Sequence, residues 1–479
     1  MTSTRVQLAL VLFFSLATGW TVGVLKLVEV LMTTRGGRFE TAKEQRAETY
    51  LVSFGLSKAA CNYAAGRLAD SFGRRVPMLI GWVAALALSP LVLLARNWGM
   101  VVAADVLLGV NQACCWSACV FVALDLLGPR HRALAVGLVE TAGYSAIALA
   151  GPAVAAMGHD DRGVAVALFP LALLALVCLV LAATAQRETR EPSRCTVHSD
   201  SSSSPPRATR GELSFACGGG RRFACTSVGS GLAACCLAGL ALNFTTAFAW
   251  GALTRWLAAH DGGRGDVAAR ALLAYSLPKG VGQLPAGILA DRRACRGVGP
   301  KSFVVVGLLL LSVTLAVLAA VAAPDAPANG QSELILSPLA AGVQALVISL
   351  SAMLGLATAL AYPTLLACAA ALAHPDRRSS TVGAVRCVRD LGYAVGGLLL
   401  GSAVEAAGGA YWPAAGAGAV VTLVAGVLFA IAMPSSATLA DGQPPLLRSA
   451  TSSSTTSAAC ACELQPSPSS AARPHPPTN

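Results

Sequence analysis

The sequence predicts an all-α membrane protein with twelve transmembrane helices in two pseudo-symmetric six-helix halves. Three observations lead there. The first is composition: 55% of the 479 residues are hydrophobic and only 12% charged, with a mean hydropathy of +0.63. A soluble domain carries about 25% charged residues, so most of this surface is suited to lipid. The second is a run of long apolar stretches, each near the ~20 residues that cross the hydrocarbon core. The third is a repeated turn. Residues Gly66 to Arg75 read Gly-Arg-Leu-Ala-Asp-Ser-Phe-Gly-Arg-Arg, and a weaker copy, Gly287 to Arg293, lies 221 positions later.

In chain order, spans are expected at 6–32, 49–69, 76–95, 98–124, 133–157, 164–184, 227–257, 267–290, 302–323, 342–371, 380–403 and 413–433. The stretches 98–127 and 336–373 exceed one crossing and fall short of two. Each is read as a single tilted or overhanging helix. The first stretch exceeds the about 7–15 apolar residues of a signal peptide, so it is read as a retained helix. Residues 185–226 collect Arg, Glu, Ser and Pro, with Ser201–Ser204 followed by Pro205 and Pro206. This composition suits a flexible linker. Residues 434–479 are rich in Ser, Thr, Pro and Ala and are expected to form a disordered tail. The predicted organisation is a bundle over 1–184, a linker over 185–226, a second bundle over 227–433 and a tail.

Charge sets the expected orientation. With the N-terminus inside, the cytoplasmic side holds 21 Lys and Arg, among them Arg67, Arg74, Arg75, Arg130, Arg132, Arg292, Arg293, Lys301, Arg377 and Arg378. The other side holds nine, four of them in the 33–48 loop beside Glu40, Glu44 and Glu48. The positive-inside rule then places both termini in the cytoplasm. The net charge of +11 is spread over short loops and is no nucleic-acid signal. No feature distinguishes a plasma membrane from an organelle membrane.

The fifteen cysteines fit no zinc spacing. Most lie within apolar helices, as Cys114, Cys115, Cys119, Cys235 and Cys236 do, where Cys acts as a small hydrophobe. Cys460 and Cys462 in the tail are read as unmodified, with acylation as the alternative. No phosphate-cradling Gly-x4-Gly-Lys run is present, which argues against ATP-driven work by this chain. No nucleophile–base set, paired carboxylates or histidine cluster suggests an enzyme, and no metal or cofactor is expected. No filter-like repeat suggests a channel.

The two halves match at four collinear places. Phe14, Ala17 and Trp20 pair with Phe244, Ala247 and Trp250 at an offset of 230. Lys58, Gly66 and Asp70 pair with Lys279, Gly287 and Asp291 at 221. Gly109, Pro129, Arg132 and Gly137 pair with Gly355, Pro375, Arg378 and Gly383 at 246. Glu140, Gly143 and Tyr144 pair with Arg389, Gly392 and Tyr393 at 249. Parallel repeats of this kind put a substrate site near the midplane, between the halves.

This layout resembles the major facilitator superfamily over about residues 5–435. The Gly66–Arg75 run resembles that family's signature after the second helix, departing at Ser71, where a base is usual. The resemblance assigns Asp70, Gly73, Arg74 and Arg75 to a cytoplasmic latch between halves, with Gly66 as part of the motif. Gly287, Asp291 and Arg292 carry the copy. Gly151 and Pro152 resemble the core of the antiporter signature, but Ile147, Ala155 and Ala156 stand where glycines are usual. Asp105 occupies the place, four residues before Gly109, where the family often has Arg. The subfamily is therefore left unassigned. The resemblance implies a secondary active transporter that moves a small organic solute by alternating access, with a proton as a candidate coupling ion, as a monomer in the bilayer. The alternatives are a non-transporting sensor on the same scaffold and a passive facilitator.

Physics alone also singles out these positions. An ionisable residue at a helix centre costs ~2.5–3.5 kcal/mol on insertion scales and is a functional candidate by default. This chain has Lys26, Glu29, Lys58, Asp105, Glu140, Lys279, Arg386, Arg389 and Asp390. Lys26 and Glu29 share a helix face and can pair. Twelve residues separate Lys58 from Asp70 and Lys279 from Asp291, which puts each lysine about 18 Å from the membrane exit. In the resembled fold the expected partners are Asp390 for Lys58 and Glu140 for Lys279, both across the halves. Asp70 is placed to cap a neighbouring helix N-terminus, which carries about +0.5 charge. The resemblance also places Trp20, Asn111, Gln112, Trp116, Asn243, Thr246, Trp250, Thr358 and Tyr362 around a substrate chamber. Asp105 and Glu140 favour a cation or a proton there; Lys58 and Arg386 favour an anion.

Overall fold

The computed structural model describes residues 3–33, 39, 49–157, 161–190, 219–260, 266–293, 298–323, 340–407 and 410–434. Among these residues every regular element is helical. The first half contains α1 (Thr4–Thr33), α2 (Thr49–Phe72), α3 (Arg75–Leu86), α4 (Leu88–Leu93), α5 (Trp98–Leu127), α6 (Arg132–Met157) and α7 (Asp161–Thr184). The second contains α8 (Gly219–Trp250), α9 (Ala252–His260), α10 (Asp266–Val281), α11 (Gln283–Arg293), α12 (Pro300–Ala322), α13 (Ala341–Leu372), α14 (Arg378–Ala406) and α15 (Trp412–Ala432).

Among the described residues, these fifteen α-helices make twelve crossings because three crossings are broken. Pro90 lacks the N–H that would continue α3 into α4. Gly251 separates α8 from α9, and Gly282 with Pro285 separates α10 from α11. The stretches 98–127 and 336–373 each hold one long helix, α5 and α13. Asn97 starts α5 by accepting the Met100 N–H at 3.1 Å, the bond expected of an N-cap asparagine.

Among the described residues, ten spans are long and apolar enough to cross a membrane by themselves. The other two crossings are α2 and the α10–α11 pair. Helix α2 carries Lys58, Asn62, Arg67 and Asp70. The break divides the eighth crossing into helices of 16 and 11 residues. Both crossings lie at the boundary between halves, where protein rather than lipid covers much of them. The outer surface is apolar elsewhere, with Leu149, Phe169, Leu173, Val313, Val420 and Ile431 exposed.

The expected linker boundaries shift. Helix α8 begins at Gly219, inside the stretch expected to be linker, and residues 185–190 pack against the first bundle. The linker interior, 191–218, and nearly all of the expected tail lie outside the described residues.

Packing follows the internal repeat. Within the first half, α1 lies on α6, α2 on α5 and α3 on α5; the second half repeats this with α8 on α14, α10 on α13 and α12 on α13. Two seams join the halves: α2 against α14, and α6 against α10 and α11. Glycines bring the backbones together at matching points. A Cβ at Gly66 would overlap the Ser379 carbonyl, and one at Gly287 would overlap the Ala133 carbonyl. One at Gly383 would lie 2.6 Å from the Asn62 carbonyl oxygen, and one at Gly137 would lie 2.7 Å from that of Gln283. Small residues at a helix crossing are how membrane helices approach closely enough to pack.

Replacing Gly66 or Gly287 with Leu is expected to cost about 1–3 kcal/mol through overpacking at a seam. Gly416→Leu, where nothing lies within 4 Å, is expected to change little. Thermal unfolding in detergent checks all three variants.

Candidate functional site

The seam at one end of the bundle is closed by two equivalent caps. The Asp70 carboxylate accepts the backbone N–H groups of Ser379, at 3.2 Å, and Ser380, at 2.6 Å. Both belong to the first turn of α14, whose amides have no partner inside the helix. The Asp291 carboxylate accepts those of Ala133, at 3.2 Å, and Leu134, at 2.8 Å, in the first turn of α6. Each carboxylate thus meets the positive end of a helix from the other half. These are charge-assisted bonds, roughly twice as strong as neutral ones.

The rest of the motif organises Asp70. Gly73 has φ +97°, a left-handed conformation that glycine takes readily. Arg74 spans Asp70 at 3.4 Å and Asp125 at 2.8 Å, and donates to the Ala69 carbonyl at 2.8 Å. Arg75 donates to the Ala182 carbonyl at 3.0 Å. Arg292 is exposed and joins no such arrangement among the described residues. Asp125 and Glu188 carry no mark in the sequence that singles them out. Glu188 accepts the Arg74 and Arg75 N–H groups at 2.9 and 3.3 Å, capping α3. It lies in the expected linker, where a lone Glu gives no signal.

Midway along the seam, Asp390 is the hub of a buried network. Arg389 grips it with two bonds, of 2.7 and 3.0 Å. Asn243 of α8 donates to it at 2.7 Å and Asn62 of α2 at 2.6 Å. Lys58 stands 3.5 Å away. Ser117 of α5 extends the network by donating to Asn62 at 2.6 Å. Asn62 sits one helical turn after Lys58, so its face is legible from spacing, although nothing in the sequence marks the residue itself.

The other expected pair is rearranged. Glu140 accepts from Arg386 of α14 at 3.2 Å rather than pairing with Lys279. Lys279 instead donates to Thr246 at 3.1 Å and Tyr275 at 3.0 Å. Rotation of α14 decides this: Arg386 and Arg389 both turn inward and are almost wholly buried, which brings a guanidinium to Glu140. Each lysine also lies over an aromatic ring from the opposite half. Lys58 is 5.2 Å from the Tyr393 ring and Lys279 is 4.7 Å from the Tyr144 ring. Tyr144 and Tyr393 are repeat-related, so both halves make the same cation–π contact.

The remaining chamber residues divide. Trp116, Tyr144 and Tyr362 stack edge to face, at 5.2 and 5.9 Å, and Arg389 lies 4.7 Å from the Tyr362 ring. Gln112 is buried nearby in sequence on α5, and Trp20 and Trp250 are partly buried. Asn111 turns away from the seam and donates to the Gly81 carbonyl of α3 at 3.0 Å. Thr358 bonds back to the Leu354 carbonyl of its own helix at 2.8 Å. Farther along, the Lys26 ammonium bonds Glu29 at 3.0 Å and also Asp105 of α5. Asp105 therefore belongs to a second cluster, apart from Asp390. Among the described residues, no group of three or more His, Cys, Asp or Glu is placed to hold a metal ion.

Duplicated six-helix bundles, joined along two seams and holding buried ion pairs between them, define a multi-pass membrane transporter scaffold. The family model described as Major Facilitator Superfamily matches residues 8–260 and again 235–461, and the chain belongs to this family. Members of the family are transporters. The human organic anion transporter MFSD10 (TETRAN) superposes with a TM-score of 0.61 at 17% identity, covering 90% of this chain and all of that one. The E. coli fucose:proton symporter FucP gives 0.62 at 15%, covering 91% of this chain and all of that one. At such identities the likeness is one of fold. No curated protein sequence matches significantly.

Asp390→Asn is expected to cost ~3–5 kcal/mol, because it leaves the Arg389 charge buried without its partner. Lys58→Met, which removes only the more distant cation, is expected to cost less than Asp390→Asn, because Asp390 keeps Arg389, Asn62 and Asn243. The Lys58→Asp/Asp390→Lys exchange is expected to restore nothing, since Asn62, Asn243 and Arg389 still require an acceptor. Thermal unfolding of the three proteins in detergent decides this.

Proposed function

We propose that this membrane protein is a secondary active transporter that moves a small organic solute by rocking its two halves, with a proton as the coupling ion. The duplicated cap carries the reading. Asp70 and Asp291 each bind a helix N-terminus of the opposite half through backbone amides alone. Such a contact has little side-chain rearrangement to undo, so it suits a gate that opens and closes. The surplus of Lys and Arg on the loops beside it supports a cytoplasmic position for this face, with both termini on the same side. Arg386 and Glu140, and Lys58 and Asp390, also cross between halves, and any rocking must remake them.

Proton coupling is supported by the cluster at Lys26. One ammonium lies between the Glu29 and Asp105 carboxyl groups, which also lie within hydrogen-bond reach of each other. Two adjoining carboxyl groups inside the membrane are a position where a proton can be taken up and released. The fold neighbour FucP is a proton symporter. The chain is expected to work as a monomer.

The test uses purified protein in liposomes loaded with a pH-sensitive dye and a panel of organic solutes. At least one solute is expected to drive proton movement in the wild type. Asp105→Asn is expected to abolish that movement while solute exchange persists. Solute flux without proton movement in the wild type identifies a facilitator, and binding without flux identifies a sensor; either outcome overturns the proposal.

A further inference from the structure

The charges buried along the seam do not balance. Lys58, Lys279, Arg386 and Arg389 face only Glu140 and Asp390 among the described residues there. Arg386 takes Glu140, and Arg389 with Lys58 shares Asp390. Lys279 is 2% exposed; its ammonium bonds the hydroxyls of Thr246 and Tyr275 and lies over the Tyr144 and Tyr275 rings, with no carboxylate within ion-pair distance among the described residues. Neutral dipoles satisfy its N–H groups, while Glu140 and Asp390 attract it only from beyond ion-pair distance and are held by the arginines, so its charge is incompletely compensated in a low-dielectric site. Arg389 adds a second opening. It is fully buried, and its Nη1 has no hydrogen-bond partner among the described residues.

The two groups flank one aromatic pair. Lys279 lies 4.7 Å from the Tyr144 ring, and Arg389 lies 4.7 Å from the Tyr362 ring. The pair itself crosses the seam, from α6 to α13, and its hydroxyls meet at a long 3.4 Å. An anionic oxygen between those hydroxyls would replace that one long bond with two short charge-assisted ones. Trp116, edge-on to Tyr144 at 5.2 Å, adds an apolar aromatic wall.

We infer that the solute is an organic carboxylate, whose anionic head is held by Lys279, Arg389 and the hydroxyls of Tyr144 and Tyr362, with its apolar body against Trp116. This assignment rests on the transporter reading above and names its substrate class. It also supplies a reason for the halves to close on substrate. The carboxylate bridges a lysine of the second half and a tyrosine of the first, so binding compensates charge only when both seams are together.

The experiment measures thermal stabilisation of the purified protein by matched trios: benzoate, benzamide and benzylammonium, then hexanoate, hexanamide and hexylammonium. The carboxylate of at least one trio is expected to raise the unfolding temperature, and its amide and amine are not. Lys279→Met is expected to weaken that carboxylate by at least about tenfold in half-saturating concentration, and Lys279→Arg to retain it. Lys279→Met removes an incompletely compensated buried charge, so the ligand-free variant is expected to be at least as stable as the wild type, which separates lost binding from lost folding. Equal stabilisation by an amide or amine, the same shift from sodium chloride alone, an unaltered response in Lys279→Met, or no response to either carboxylate overturns the assignment. Counterflow of the stabilising carboxylate in liposomes keeps the two readings apart. Stabilisation without counterflow defeats the transporter reading and leaves the anion site standing. Counterflow of a neutral solute with no carboxylate effect does the reverse.

Discussion

The Asp390 carboxylate is the point on which the interior depends. It lies wholly buried and is surrounded by donors from α2, α8 and α14, with α5 attached through Asn62 and Ser117. A lone carboxylate in this environment would be prohibitively costly, and a lone Arg389 equally so. Together they are stable because nearly every lone pair and proton has a partner. The consequence is mechanical: four helices from both halves are tied to one side chain, so the relative position of the halves at the midplane is set there rather than by apolar packing, which is non-directional.

At the motif-bearing end the same problem is solved differently. Asp70 and Asp291 use helix N-termini as their cations. Gly66 and Gly287 make this possible, since any larger residue would hold the caps too far from their amides. Gly137 and Gly383 repeat the device deeper in the seam. The duplication is therefore faithful in backbone approach, in capping and in the lysine–tyrosine contacts. It is not kept in charge: Glu140 faces Arg386 on one side of the axis, whereas Asp390 answers Arg389 and Lys58 on the other. A symmetric backbone scaffold thereby encloses an asymmetric set of buried charges.

The motif also reaches beyond its own ten residues. Glu188, just past α7, closes the Gly73 turn by accepting two backbone amides, and Thr189 donates to Asp125 at 2.9 Å. The start of the connection between halves is thus bound to the motif turn of the first half. Asp125 is shared by Arg74 and Thr189, so the motif and the start of the connection are held by the same carboxylate.

Much of this was legible in the sequence because membrane insertion makes sequence unusually explicit. Apolar stretches near twenty residues mark the crossings, and a buried charge stands out against them, as Lys58, Lys279 and Asp105 do. Repeat offsets of 221 and 246 pair the glycines and aspartates of the two halves by residue position alone. What the sequence by itself left open was partner choice. Lys26 with Glu29 follows from spacing on one helix, but Asp105 joining them, Arg386 taking Glu140, Asn111 turning to Gly81 and Glu188 folding onto Gly73 do not. Those contacts link helices far apart in the chain, and each depends on the rotation and axial register of two helices at once. Local periodicity determines which face of a helix is polar; only close packing of the whole bundle determines which polar face it meets.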